Sequence, residues 1–356
     1  MKLALLHDDF YQWGGAERLV SALATNYPDS PIYTLGFNPK LVPDDLKERM
    51  VTSPLQKFPG VSKYYRAYSP LMPSFIEDFD FSPLDVLISS SARFAHGAIT
   101  KPGTFHISYI NSPGRMWWES HDYFPNRGTI IEPLLSPLRL WDRVASNRPD
   151  VLLANSSYVQ KKIAKYWVKD STVVHPFVDP APFKFRGEHP PEVHDKYFLV
   201  VTRLLAYKRV DMVIKACNRL KLPLVIVGDG PDRKKLEALA GNTVKLLGSL
   251  TEIQKHHYYE GCRALIQMQV EDFGLTPLEA MTHGKPVIAY GLGGASETVS
   301  PKTGVLLGEQ SVEELMRILE TFDERKFKPS ECIDQVGKFN RANFMKSISE
   351  IIEKNV

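Results

Sequence analysis

The sequence predicts an α/β fold made of two doubly wound domains. The chain has 356 residues, which exceeds one ordinary hydrophobic core and suits two domains of typical size. Short apolar runs alternate with segments of helical periodicity, a pattern typical of parallel sheets whose strands are joined by helices. A proline-rich stretch separates this pattern into two halves.

The first half begins with a strand, a turn and a helix. Leu3–His7 is an apolar run, and Gln12–Gly15 is predicted to turn the chain. The helix that follows has apolar residues on one face at the 3.6-residue period. Those residues are Ala16, Leu19, Val20, Leu23 and Ala24. Later strands of this half are predicted at Ile32–Leu35, Leu84–Ser89, Phe105–Ile110, Val151–Asn155 and Val173–His175.

The second half repeats the alternation more regularly. Strands are predicted at Tyr197–Val201, Leu224–Gly228, Val244–Leu247, Ala264–Gln267 and Pro286–Ala289. Helices are predicted between and after them, at Val210–Arg219, Arg233–Ala240, Thr251–Glu260, Pro277–Thr282 and Val312–Phe322.

These elements define the predicted domain boundaries. The first Rossmann-like domain covers residues 1–178 and the second covers 197–337. Residues 179–196 are predicted to be a linker, because their prolines exclude a helix or an inner strand. These prolines are Pro180, Pro182, Pro190 and Pro191. Residues 338–356 are predicted to form a C-terminal helix, because Phe344–Ile352 has an amphipathic pattern. Two such domains facing a central cleft would bind ligands at the carboxyl ends of their strands.

The composition excludes several classes of protein. Lys and Arg number 44 against 41 Asp and Glu, so no strong positive field points to a nucleic-acid partner. The cysteines, Cys217, Cys262 and Cys332, contain no C-x-x-C pair, which argues against a zinc knuckle or a disulfide framework. No apolar run is long enough for a membrane span or a signal peptide. We therefore expect a cytoplasmic protein.

The segment EDFGLTPLE is the strongest candidate for a site. Glu271 and Asp272 precede a predicted helix in a loop, where two acids have no evident structural reason. Thr276 and Glu279 fit a capping box around Pro277, so Glu279 has a structural interpretation as well as a functional one. Backbone N–H groups at the start of this helix could also donate to a polar ligand. They belong to Phe273, Gly274 and Leu275.

A basic pair follows the first strand of the second half. Arg203 and Lys208 lie just beyond that strand, where a forked guanidinium and a compact ammonium suit a diphosphate. Solvated surface charge is the alternative.

Gly14 and Gly15 follow the first strand of the chain, where the backbone can approach a phosphate at a helix N-terminus. They form neither a GxGxxG fingerprint nor a P-loop.

Two further stretches have open interpretations. His121 precedes Asp122 and could orient or transfer a proton, although a packed histidine explains it as well. The stretch Gln56–Met72 mixes basic and aromatic residues and has no acid, so it could contact anionic lipid headgroups or form a solvated loop.

Together these segments resemble the retaining GT-B glycosyltransferases of family GT4. The resemblance is densest from Val200 to Val299, where VTRLLAYKRVD, VIVGDGPDRKKLE and EDFGLTPLEAMTHGKPVIAYGLGGASETV stand in the family's order. The interval Glu271-x7-Glu279 is part of that pattern, and Gly14-Gly15-Ala16-Glu17 matches the family's glycine loop. The resemblance implies a GT-B fold whose C-terminal helix crosses back to the first domain.

The resemblance implies a role for each matched residue. Arg203 and Lys208 would hold the diphosphate of a nucleotide sugar, together with the backbone of Gly14 and Gly15. Glu271 would contact the transferred sugar, as would the segment Phe273, Gly274, Leu275 and Thr276. Glu279 would hold the ribose hydroxyls, while Gly248 and Leu250 would lie near the base.

The resemblance also implies a mechanism without metal, cofactor or protein nucleophile. The nucleoside diphosphate would leave through an oxocarbenium-like state, and the acceptor hydroxyl would attack on the same face. Polysaccharide and O-antigen mannosyltransferases of this kind usually have a His where this chain has Asn111, so either polar positioning suffices there or His121 takes part. Thr202 likewise replaces a usual glycine before the arginine.

The subgroup favours mannose from GDP-mannose, with UDP-sugars as the alternative donors. The first domain would bind the acceptor, a saccharide or a lipid-linked saccharide at the inner face of the membrane. A non-catalytic module that binds nucleotide sugars is the remaining alternative.

Overall fold

The computed structural model describes residues 1–123, 128–180 and 196–356. The chain forms two compact units, Met1–Pro176 with Ala342–Val356, and Phe177–Arg341. Each unit contains one parallel sheet with helices, which confirms the predicted α/β fold class. The predicted linker falls largely on residues 181–195, which lie outside the described residues.

Within the described residues, the first unit has a seven-stranded sheet in the order β3-β2-β1-β4-β5-β6-β7. Its strands are β1 (Leu3–His7), β2 (Ile32–Thr34), β3 (Met50–Thr52), β4 (Val86–Ser91), β5 (Phe105–Ile110), β6 (Val151–Ala154) and β7 (Thr172–Val173). The helices are α1 (Gly15–Asn26), α2 (Asp44–Lys47), α3 (Val61–Tyr64), α4 (Met72–Glu77), α5 (Arg115–Trp118), α6 (Ser120–Tyr123), α7 (Gly128–Ala145) and α8 (Ser157–Tyr166). Short 3-10 helices occur at Pro54–Lys57, Tyr65–Leu71 and Ala95–Gly97.

The second unit has a six-stranded sheet in the order β10-β9-β8-β11-β12-β13. Its strands are β8 (Phe198–Val201), β9 (Leu224–Val227), β10 (Val244–Gly248), β11 (Ala264–Gln267), β12 (Val287–Tyr290) and β13 (Gly304–Leu307). The helices are α9 (Val210–Leu220), α10 (Arg233–Leu239), α11 (Glu252–Gly261), α12 (Leu275–Thr282), α13 (Ala295–Thr298), α14 (Val312–Thr321) and α15 (Pro329–Val336). Its 3-10 turns are Ala206–Lys208 and Glu324–Lys326.

The C-terminal helix α16 (Arg341–Asn355) belongs mainly to the first unit. The ring of Phe344 on this helix packs edge-on against Tyr109 of β5, with ring centroids 5.5 Å apart. Among the described residues, no helix combines the length and the apolar character that crossing a membrane requires.

Both faces of the second sheet are buried, which explains why its strands have continuous apolar sequences. Phe198 and Val200 of β8 point into one hydrophobic core, with α9 and α14. Leu199 points into the other core, with α12 and α15. Successive side chains of a strand alternate between faces, so each strand supplies both cores.

The sequence prediction lacked two strands, the long helix α7 and several shorter helices, among them α8 and α15. Strand β3 is short and its Val51 is exposed, so its sequence lacks a buried apolar pattern. Strand β13 begins at Gly304, where a Cβ atom would lie 2.0 Å from the Val287 carbonyl oxygen. Helix α7 contains Pro133 and Pro137, which normally break a helix. Contacts within the fold outweigh local propensity at these positions.

The order of strands in each sheet reverses at one point. In the first unit the reversal lies between β1 and β4, and in the second unit between β8 and β11. The loops at the carboxyl ends of such a strand pair form the usual ligand-binding crevice of an open α/β sheet. In the second unit those loops carry Arg203, Lys208 and Glu271.

Gly228 sets the position of the Arg203 loop and provides a stability test. Its φ is +135°, and a Cβ atom would lie 1.8 Å from the Thr202 carbonyl oxygen. We expect Gly228→Ala to lower the free energy of unfolding by at least about 2 kcal/mol, because the backbone is strained and the loop is pushed aside. Urea denaturation followed by circular dichroism measures this loss.

Gly308→Ala is the matched control, because a Cβ atom there meets nothing within 4 Å. It should change the free energy of unfolding by no more than about 0.5 kcal/mol. Equal stability of the two variants would contradict the importance of this close approach.

Candidate functional site

A lysine–glutamate ion pair lies where the second sheet reverses its strand order. Lys208 ends the 3-10 turn after β8, and Glu271 lies in the loop after β11. The Lys208 Nζ atom is in direct contact with Glu271 Oε1, and the lysine is buried. Gln269 Nε2 donates to the same carboxylate oxygen at 3.2 Å. The structure therefore brings together two residues that the sequence analysis assigned to one ligand.

The backbone next to Lys208 is held in an uncommon conformation. Arg209 has a φ of +55° and precedes the first turn of α9. A non-glycine residue in this left-handed region is unusual and costs roughly 1 kcal/mol or more. The Lys208 N–H donates to the Leu205 carbonyl at 2.9 Å, and the Lys208 ammonium lies 4.9 Å from the centre of the Tyr207 ring. These constraints aim the lysine at the loop after β11.

A glycine pair after β12 packs against the acidic loop. The Gly294 N–H donates to the Glu271 carbonyl at 2.9 Å. A Cβ atom on Gly293 would lie 2.3 Å from that carbonyl oxygen, and one on Gly294 would lie 2.1 Å from the Phe273 carbonyl oxygen. The sequence analysis did not assign these two residues to the site. Their position after β12, the strand that neighbours β11, was the feature of the sequence that indicates a place beside the acidic loop.

Helix α12 begins earlier than the capping box predicted, and that prediction is wrong. The helix starts at Leu275, and Gly274 is its N-cap residue with a φ of +84°. Only a glycine adopts this backbone easily, so the chain enters the helix two residues before Pro277. Thr276 therefore lies inside the first turn, and Glu279 lies in the second turn. The Glu279 Oε2 atom instead accepts a hydrogen bond from the Tyr259 hydroxyl at 2.7 Å.

Arg203 lies on the loop after β8, and its side chain is exposed. The Leu204 N–H donates to the Asp229 carbonyl at 2.9 Å, which ties this loop to the turn after β9. Gly230 of that turn permits the approach, since its Cβ atom would lie 2.4 Å from the Leu204 carbonyl oxygen. The segment GDGP therefore supports the Arg203 loop, a role that the sequence analysis did not assign.

The residues expected near the base lie at the end of β10. Gly248 is the last residue of that strand, and its carbonyl accepts from the Gly228 N–H at 2.8 Å. Its φ is +77°, and a Cβ atom there would lie 2.6 Å from Arg233 Nη1. Leu250 is partly buried against the core beside α12. Their proposed contact with a nucleobase stays a prediction.

In the first unit, a buried ion pair supports the glycine loop. The Gly14 N–H donates to Glu17 Oε2 at 2.8 Å, and α1 starts at Gly15. The Glu17 Oε1 atom lies 3.8 Å from His7 Nε2, and both side chains are buried. Burial disfavours the charged form of both side chains, but the hydrogen bond and the opposite charge of the partner outweigh that effect. The pKa of His7 is therefore raised and the pKa of Glu17 is lowered.

Asn111 and His121 have different surroundings. Asn111 follows β5, and its Nδ2 atom donates to Ser90 Oγ at 2.9 Å. His121 lies in α6 with an exposed side chain. In the part of the chain that the structure describes, these two side chains make no hydrogen bond with each other. No cluster of three or more His, Cys, Asp or Glu side chains suited to a metal ion occurs among the described residues.

The sequence profile described as "Glycosyl transferases group 1" matches residues 183–338. That range contains the Lys208–Glu271 pair, the acidic loop and the turns that support them. Residues 183–338 are thus similar to the group 1 glycosyl transferases, over somewhat less than half of the chain. The candidate site within this range lies at the point where the second sheet reverses its strand order.

Curated relatives are similar over part of the chain. An O-antigen chain mannosyltransferase C of Escherichia coli is 28% identical over 172 residues, which cover 45% of this chain and 46% of the relative. A GDP-mannose-dependent alpha-(1-6)-phosphatidylinositol monomannoside mannosyltransferase of Mycobacterium tuberculosis is 30% identical over 192 residues, which cover 46% and 50%. The chain spans about half the length of these curated relatives.

Solved structures are similar over nearly the whole chain. A sucrose-phosphate synthase from Thermosynechococcus elongatus has a TM-score of 0.72 at 16% identity and covers 99% of each chain. A lipopolysaccharide outer core galactosyltransferase, WaaB, has a TM-score of 0.65 at 19% identity and covers 100% of each chain. These similarities confirm the predicted GT-B fold.

The Glu17–His7 pair makes stability depend on pH. The pair is fully charged between the ordinary pKa values of Glu17 and His7, 4.5 and 6.5. Its contribution is lost as pH falls through the lowered pKa of Glu17, and as pH rises through the raised pKa of His7. We expect Glu17→Gln to lower the free energy of unfolding by about 3 kcal/mol within that window. The loss should shrink at higher pH, which urea denaturation at several pH values measures.

Glu48→Gln is the control, because Glu48 is an exposed glutamate of the same unit. It should change stability by no more than about 0.5 kcal/mol at every pH. A Glu17→Gln loss that is independent of pH would show that the pair is not ionised.

Proposed function

We propose that this protein is a retaining glycosyltransferase. It moves a hexose from a nucleoside diphosphate sugar to a hydroxyl of a saccharide or a lipid-linked acceptor. The observation that carries this proposal is the ion pair between buried Lys208 and partly buried Glu271 at the reversal point of the family-matched sheet. A cation suits the diphosphate and a carboxylate suits sugar hydroxyls, so both parts of such a donor have a partner there.

The proposed roles follow from charge and position. Lys208 and Arg203 bind the diphosphate, and Glu271 accepts hydrogen bonds from the hexose. The Lys208 ammonium is already buried and oriented, so it loses little solvation when the phosphate arrives. The start of α12 offers backbone N–H groups beside the sugar, and Glu279 binds the ribose.

In this mechanism, bond cleavage depends on stabilising the leaving diphosphate. Removal of one well-placed hydrogen-bond donor to such a group typically raises the activation free energy by about 3–4 kcal/mol. The acceptor hydroxyl attacks on the face that the diphosphate leaves, and a phosphate oxygen takes its proton, so configuration is retained. Asn111 contributes a hydrogen bond to a sugar hydroxyl. It does not transfer a proton, because an amide does not exchange protons near neutral pH. His121 is the candidate for proton transfer if Asn111 does not suffice.

Mannose from GDP-mannose is the proposed donor. The names of the two curated mannosyltransferases support mannose, and one of them names GDP-mannose. A UDP-sugar is the alternative donor, and nucleotide-sugar binding without turnover is the alternative activity. The proposed reaction needs no metal ion and no cofactor.

The proposed acceptor lies at the cytoplasmic face of a membrane. The stretch Gln56–Met72 supports this proposal through exposed Tyr64 and Leu71 beside Lys63 and Arg66. Exposed aromatic and basic side chains of this kind suit an anionic lipid surface.

Loss of either member of the ion pair should disable the reaction. We expect Lys208→Met and Glu271→Gln each to lower kcat/KM at least about a hundredfold, since each removes a charge that faces the donor. The measurement is the initial rate of nucleoside diphosphate release, with circular dichroism to verify folding.

Lys215→Met is the matched control, because Lys215 makes an exposed ion pair with Asp211. That variant should keep its rate within about twofold, as exposed pairs contribute little. Undiminished rates from either test variant would refute the role of that residue.

A donor panel tests the proposed reaction itself. GDP-mannose, GDP-glucose, UDP-glucose and UDP-galactose are each incubated with and without an oligomannoside acceptor, in EDTA and in Mg²⁺. We expect nucleoside diphosphate release from GDP-mannose only when acceptor is present, at equal rates in EDTA and Mg²⁺. Release from a UDP-sugar would replace the donor, and tight nucleotide binding without release would favour the non-catalytic alternative. Dependence on Mg²⁺ would refute the metal-free mechanism.

A further inference from the structure

A tyrosine and two histidines lie behind Glu279. The Tyr259 hydroxyl, on α11, donates to Glu279 Oε2 at 2.7 Å. The imidazole of His283, just after α12, is nearly parallel to the Tyr259 ring, with an interplanar angle of 15° and centroids 5.8 Å apart. His283 Nε2 lies 2.8 Å from His256 Nδ1. The sequence analysis assigned none of the three to the site.

Tyr259 is held rigidly by its surroundings. It is 2% exposed and belongs to the hydrophobic core beneath α12. The same helix that carries Glu279 contributes Leu278 and Met281 to this core. The tyrosine ring and the glutamate backbone are therefore fixed relative to each other by packing within one unit.

The histidine pair adds no positive charge near neutral pH. Burial lowers the pKa of His283 to about 4, with the neighbouring His256 as the next cause. Burial also lowers the pKa of His256, against the opposing effects of Glu252 and Glu279. Both imidazoles are therefore neutral at pH 7, and one ring nitrogen donates to the other. Neither His256 nor His283 therefore competes as an imidazolium with Tyr259 for the Glu279 carboxylate.

We propose that Tyr259 is a positioning residue that fixes the Glu279 carboxylate and thereby makes the donor site selective for ribose over deoxyribose. This inference rests on the proposed function, in which Glu279 binds the ribose hydroxyls. A carboxylate has about four lone-pair positions, so it accepts from Tyr259 and from a ligand at once. The hydroxyl restricts rotation of the carboxylate about its last torsion, which is otherwise broad.

The selectivity follows from the cost of an unpaired polar group. A site arranged to accept from a hydroxyl loses affinity for an analogue that lacks it, because a partly desolvated acceptor is then left unpaired. The loss is large only when the acceptor is held in place. A mobile carboxylate turns towards water and discriminates less.

The experiment compares Tyr259→Phe with Tyr197→Phe. Tyr197 is 1% exposed, lies in the same core, and donates its hydroxyl to the Tyr258 carbonyl at 2.9 Å. It therefore controls for the loss of one buried tyrosine hydroxyl in this unit. Calorimetry measures the Kd of GDP, UDP and their 2′-deoxy and 3′-deoxy counterparts for each protein, with thermal denaturation to compare folding.

We expect the unmodified protein to bind the ribonucleotide at least about tenfold more tightly than a deoxy counterpart. Tyr259→Phe should weaken ribonucleotide binding about tenfold and deoxynucleotide binding less than about twofold, so the preference nearly disappears. Tyr197→Phe should keep the full preference. In a Glu279→Gln background, Tyr259→Phe should have less than about a twofold effect, because it then has no carboxylate to position.

Several outcomes would overturn the inference. An equal loss for ribo- and deoxynucleotides would mean that Tyr259 has only a structural role, and unchanged or tighter ribonucleotide binding would mean that it does not position Glu279. If the unmodified protein binds nucleotides but does not prefer ribose, the contact between Glu279 and ribose is refuted and the inference with it. If it binds no nucleoside diphosphate, the proposed function fails first.

Discussion

The contact between Lys208 and Glu271 is the interaction on which the candidate site depends. It joins the loops after two strands that are neighbours in the sheet but distant in the sequence. An ion pair that is largely buried adds little net stability, since loss of solvation offsets the attraction. Under the proposed function its value is positional, because it keeps a desolvated ammonium where a diphosphate would bind.

Close backbone contacts set the geometry around that pair. Gly228 brings the turn after β9 against Thr202, and Gly294 brings the loop after β12 against Phe273. A side chain at either glycine would occupy the space of a carbonyl group. Because these glycines have no side chain, the loops at the carboxyl end of the sheet approach one another closely. This close approach sets the positions of the polar residues on the loops.

Both units use a carboxylate that is buried or partly buried to hold a second group beside a predicted ligand loop. In the first unit Glu17 accepts from the Gly14 N–H and pairs with His7. In the second unit Glu279 accepts from Tyr259. A short hydrogen bond to a charged acceptor is stronger than a hydrogen bond between neutral groups. One such bond can therefore order a loop or a side chain without many further contacts.

The sequence by itself determined the fold class, most strands of both sheets, and the residue types at the second unit's candidate site. Apolar runs and helical periodicity are local, so they are visible in a linear pattern, and Arg203, Lys208 and Glu271 follow predicted strands. Only the tertiary structure decided that Lys208 contacts Glu271, that α12 starts at Leu275 with Gly274 as its N-cap, and that Tyr259 donates to Glu279. These features depend on which strands are neighbours and on backbone angles available to glycine, and both are set by packing between segments far apart in the chain.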